Sequence, residues 1–92
     1  MKILKLPEQL TLCDGVEVQL APMAMNRRFL ELMSMCSKDA DTIQVIDAML
    51  DCIHNSIRNG NKDLPAEQLD AAREQIPFNF VIELIDSVSG SA

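Results

Sequence analysis

Residues 8–21 read EQLTLCDGVEVQLA, and the fold is decided here. Apolar and polar side chains alternate on both sides of Asp14-Gly15, the pattern of two strands joined by a tight turn. A two-residue loop would oppose Cys13 to Val16. Leu10 and Leu12 would then lie on the opposite face from Val16, Val18 and Leu20. A three-residue loop, Cys13-Asp14-Gly15, pairs Leu12 with Val16 and Leu10 with Val18, which gathers these five on one face. Gly15 then takes the left-handed position of a type I turn with a G1 bulge. A two-stranded ribbon is marginal in water, so its apolar face must rest on helices. Ile3, Leu4 and Leu6 can lengthen the first strand ahead of Pro7.

Past Pro22 the hydrophobic period changes from two to 3.6 residues. Asn26 is suited to cap a helix over about 26–37, with Phe29, Leu32, Met33 and Cys36 on one face. Leu30 and Met35 flank that face. A polar break, SKDAD, follows, and Asp41 or Asp39 can cap a long helix over about 42–59. Ile43, Ile46, Met49, Leu50, Ile53 and Ile57 form its stripe. Val45 and Cys52 widen the arc, while Asp47, Asp51, His54 and Arg58 line the far side. Asn59-Gly60 reads as its C-cap. Pro65 and Pro77 suit the first positions of two further helices, about 65–75 and 77–88. Leu69, Ala72 and Ile76 face inward on the first of these. Phe78, Val81, Ile82, Ile85 and Val88 face inward on the second, with Phe80 to the side and Leu84 at the edge. The pattern leaves open whether these are two helices or one kinked at Pro77. Residues 89–92 read as a frayed tail. The expected fold is α+β and mainly α, one domain over residues 1–92 with an N-terminal hairpin packed on three to four helices.

Composition narrows the function. The chain has 92 residues, no Trp or Tyr, three Phe and six Met, so its core is built from aliphatic and Met side chains. A net charge of −6, with Arg27-Arg28 as the only adjacent basic pair, argues against nucleic acid and against anionic membranes. No stretch approaches the roughly 20 apolar residues of a membrane span. Pro7 and Glu8 interrupt the start before a signal-peptide core could form, so the expected location is the cytoplasm.

The chemistry-bearing residues form no catalytic pattern. Cys52 and His54 are two apart, which places them on different sides of a helix and out of reach of each other. Asp47, Asp51 and His54 share a face but lack a fourth metal ligand. Cys13, Cys36 and Cys52 contain no CxxC pair. The three glycines stand alone, so there is no phosphate loop. The expectation is a non-enzyme with no catalytic, metal or cofactor-binding residues and no cofactor. Leu30, Met35, Val45, Phe80 and Leu84, apolar but outside the core stripes, are the candidate partner-binding residues.

The phrases Leu10-Thr11-Leu12, Asp14-Gly15, Val16 to Pro22 and Leu64 to Val88, in this order around a long central helix, resemble the tail assembly chaperones of tailed bacteriophages. The likeness spans nearly the whole chain but consists of turn and patterning signals. Arg27-Arg28 and the three cysteines have no counterpart in it. The resemblance implies a phage or prophage protein of the host cytoplasm that binds the tape measure protein, keeps it soluble and aids assembly with the tail tube protein. It also leaves room for a longer frameshifted product. A reading of another class is a small acidic regulatory adaptor or antitoxin-like inhibitor that binds one folded partner. A homo-oligomeric structural subunit is a third. Salt separates the first two, because charge mimicry weakens as ionic strength rises and apolar contact does not.

Overall fold

Gly15 has φ +88°, the left-handed backbone that the three-residue turn requires. The Leu12 and Val16 backbones meet through Leu12 N–H donating to the Val16 carbonyl at 2.8 Å, and Gly15 N–H closes the turn on the Leu12 carbonyl at 2.9 Å. This is the geometry in a computed structural model that describes residues 6–23, 26–38 and 40–89. The strands are β1 (Gln9–Thr11) and β2 (Glu17–Gln19), antiparallel, with Leu10 opposite Val18. The register is the one the three-residue loop demands. Leu10, Leu12, Val18 and Leu20 are buried on one face, while Val16 at the tip stays half exposed. Extension of β1 through Ile3 and Leu4 falls outside the described residues, and Leu6 packs on the core without joining the strand.

Four helices follow, α1 (Arg27–Cys36), α2 (Thr42–Gly60), α3 (Ala66–Glu74) and α4 (Phe78–Ser89). The architecture is α+β and mainly α. Asn26 caps α1, its Oδ1 accepting from Phe29 N–H at 3.0 Å. Asp41 caps α2 by accepting from Ile43 N–H at 2.9 Å. Asp39, the other candidate cap, lies outside the described residues. Pro65 and Pro77 each stand just before the first helical residue. Their carbonyls accept from Gln68 and Leu69, and from Phe80 and Val81, so a residue without an N–H begins each helix at no cost in donors. α3 and α4 are separate helices, because α3 ends at Glu74 and Gln75 leaves helical geometry ahead of Ile76-Pro77.

α2 is the centre of the fold, touching β2, α1, α3 and α4. Its Met49, Ile53 and Ile57 are buried, as the stripe predicts, but the buried arc continues through Val45, Ala48, Cys52 and Ser56. Ile43 lies outside that arc. The Ser56 hydroxyl is buried and makes no hydrogen bond within the described residues.

The C-terminus of α2 corrects the sequence reading. Asn59-Gly60 is not the cap. Both residues are helical, and Asn61 closes the helix. The reason is the hairpin. A Cβ on Gly60 would lie 2.9 Å from the Gln19 carbonyl oxygen and 3.0 Å from Ala21 N, so only glycine lets the second strand pass this close. Asn61 then binds the strand edge with its side-chain amide. Nδ2 donates to the Gln19 carbonyl at 2.8 Å, and Oδ1 accepts from Gln19 N–H at 3.1 Å. Ala21 N–H adds a bond to the Ser56 carbonyl, and Cys13 N–H one to the Gln75 carbonyl, which fixes the turn against the end of α3. Among the described residues, no helix is long and apolar enough to cross a membrane.

Candidate partner-binding surface

The polar side of α2 is partly covered. Asp51 accepts from Arg28 Nε at 2.8 Å and also from Arg73 Nη1, so one carboxylate ties α1, α2 and α3 together. Arg28 also reaches Glu31 at 3.0 Å. Burial alone would lower the Arg28 pKa, but its hydrogen bonds and charges with Asp51 and Glu31 raise it overall. All of these groups are partly exposed, and such pairs contribute about 0–1 kcal/mol each, so the network orients the helices more than it stabilises them. His54 Nε2 lies 2.8 Å from the Leu69 carbonyl, which can only accept, so this nitrogen carries a proton. Among the described residues, no group of His, Cys, Asp and Glu could hold a metal ion.

Of the five residues expected to bind a partner, Leu30 alone is well exposed, at 56%. Met35 and Phe80 are partly buried and pack on the core, and Val45 and Leu84 lie within it. They do not form one surface. Val81 is inward as the sequence suggests, with Ile85 and Val88 packed on the core, but Leu84 is buried rather than at the edge and Phe78 faces out. Val45 is buried as part of the core cluster.

Other exposed apolar residues are ones assigned to core stripes. Ile43 is 68% exposed, Phe78 is 61% exposed, and Met33 is also accessible. Ile43 and Phe78 occupy the first turns of α2 and α4. Side chains in a helix lean toward its N-terminus, so first-turn residues project past the layer that would cover them. That position in the helix was the signal available in the sequence, and periodicity alone does not contain it.

Phe78 stands at a surface depression of about 330 Å³ between α2 and the junction of α3 with α4. Its apolar lining is Ile46, Leu50, Ile76, Val81 and Phe78, and its polar lining is Asp47, Arg73 and Glu74. Ile43 lies one helical turn before Ile46 and Asp47 and extends the apolar strip along α2.

No protein-family model, curated protein or solved structure matches the chain.

The thiols follow burial. Cys13 is exposed, Cys36 is intermediate and Cys52 is buried. Burial, with the Asp51 charge adding to it, pushes the Cys52 thiol up to about 11, and burial raises Cys36 as well. Cys52 is thus protonated at neutral pH, and it projects into the core while His54 turns toward Leu69. A thiol reagent at pH 8 is expected to modify Cys13 at once, Cys36 more slowly and Cys52 only in denaturant. The raised folded-state value makes Cys52 stabilising below pH 9, its ordinary value, and that contribution is lost as pH climbs from 9 toward 11. By about pH 10.5 the loss reaches about 2 kcal/mol, and Cys52→Ala should show a correspondingly smaller alkaline drop in melting temperature.

Proposed function

We propose that this protein is a non-enzymatic assembly chaperone of a phage or prophage tail, binding the tape measure protein through apolar contact in the host cytoplasm. The observation that carries the reading is the exposure of Ile43 and Phe78, with Phe78 lining a surface depression whose walls include Ile46, Leu50, Ile76 and Val81. Large apolar residues grouped at a concave surface favour a protein partner. The net charge of −6 keeps a complex with an apolar chain in solution. The tape measure protein is the partner that the sequence resemblance implies, with the tail tube protein as a second.

The test is co-expression with a long helical tape-measure-like protein, comparing wild type with the Ile43→Asp/Phe78→Asp variant. Circular dichroism serves as the control for folding. Recovery of soluble partner should fall to the level seen without the chaperone, and the wild-type complex should persist in about 0.5 M salt, where exposed charge pairs are screened. A partner whose solubility ignores both the protein and the double variant would sink the proposal. A complex that dissolves in salt would instead favour the acidic inhibitor.

A further inference from the structure

We infer that the depression between α2 and the α3–α4 junction receives an amphipathic partner helix whose apolar stripe is flanked by Lys or Arg, with those cations set against Asp47 and Glu74. The inference rests on the partner-binding role above and adds where the partner sits and what its sequence must carry. The depression is of mixed lining, Ile46, Leu50, Ile76, Val81 and Phe78 beside Asp47, Arg73 and Glu74, so it suits a helix with apolar side chains spaced i, i+3, i+4 and charges on the flanks. Its charged rim is unbalanced. Arg73 is committed to Asp51, whereas neither Asp47 nor Glu74 forms an ion pair among the described residues. Two uncompensated carboxylates beside an apolar strip match a cationic flank and repel an acidic one.

A second copy of this chain matches less well. Its exposed stripe bearing a cation is Leu30 and Met33 with Arg27, and Arg27 already bridges Glu31 at 3.4 Å. Each copy also brings a net charge of −6.

The probes are two synthetic 18-residue helical peptides with the same Leu stripe, one flanked by Lys and one by Glu, each carrying a single Trp. The protein has no Trp, so the peptide's emission reports binding alone. The Lys peptide is expected to bind, and the Glu peptide to bind at least about ten-fold more weakly. Asp47→Asn/Glu74→Gln should weaken the Lys peptide about five-fold, while Asp70→Asn/Glu83→Gln, the same charge change outside the depression, should cost less than about two-fold. Phe78→Ser should weaken it about ten-fold or more. Equal losses from the two charge pairs, equal binding of the two peptides, or no effect of Phe78→Ser overturns the assignment. So does concentration-dependent self-association that the Asp47→Asn/Glu74→Gln change abolishes. The two proposals fail separately. Lost solubilisation of the tape measure protein with Lys-selective peptide binding intact removes the chaperone role and leaves the helix site. Intact chaperoning without Lys selectivity does the reverse.

Discussion

Leu84→Asp is expected to unfold the protein at room temperature, whereas Phe78→Asp leaves it folded. Both residues are large, apolar and on α4, and they are less than two helical turns apart. Leu84 is 5% exposed and packs in the same cluster as Val81, Leu32 and Ile53. Placing a carboxylate there removes the packing and also buries a charge or forces its protonation, at a cost of more than about 4 kcal/mol. A chain of this length has a total stability on the order of 5–14 kcal/mol, so a change of that size consumes much or all of the margin. Phe78 meets solvent over most of its surface, and substitutions at such positions usually stay within about 0.5 kcal/mol. Urea titrations of both variants measure the contrast directly. Equal destabilisation would mean that α4 sits in the phase its hydrophobic periodicity suggests, with Phe78 inward.

That contrast also marks the limit of what the sequence reveals. The hairpin register was legible because, of the two tight loops weighed at Asp14-Gly15, only the three-residue one puts Leu10, Leu12 and Val18 on one face. The cap Asn26 was legible, and Asp41 as one of two candidates, because a side chain that accepts from a first-turn N–H acts locally. Helix phase is another matter. α4 is apolar on most sides, with Phe78, Phe80, Val81, Ile82, Leu84 and Ile85 within eight residues, so several inward faces score alike. What selects Leu84 over Phe78 is contact with α1 and α2, which no local pattern encodes. The same holds for the surface: lying outside a stripe does not make a residue spare, since Val45 and Leu84 are covered by neighbours, whereas Ile43 and Phe78 lie at helix starts where cover runs out. The charge clamp at Asp51 was equally hidden, since its partners Arg28 and Arg73 are more than twenty residues away on either side.

Gly60→Ala is expected to destabilise the fold by about 1–3 kcal/mol, the range for overpacking a close contact. The expectation runs against helix propensity, because alanine in place of glycine in a helix ordinarily gains up to about 1 kcal/mol. The decision falls to what the added methyl meets. Its nearest neighbours are the Gln19 carbonyl oxygen at 2.9 Å, Ala21 N at 3.0 Å and the Gln19 carbonyl carbon at 3.1 Å, all backbone atoms that no rotamer change can move aside. The strand itself must retreat, yet Asn61 holds Gln19 by both its N–H and its carbonyl, and Ser56 holds Ala21. Retreat stretches those bonds and loosens Val18 and Leu20, the hairpin residues packed on the core. For a domain of this size the melting temperature should fall by about 4–8 °C per kcal/mol. Amide exchange should rise first in the hairpin, at Leu12 and Leu20. A melting temperature that rises would show that propensity outweighs the contact. Asn61→Ala releases the strand that Gly60 makes room for, so Gly60→Ala should cost less in the Asn61→Ala background than alone, by about 0.5 kcal/mol or more. Additive effects would mean that the glycine and the asparagine do not act on one junction, and that the close passage of β2 over the end of α2 does not account for Gly60.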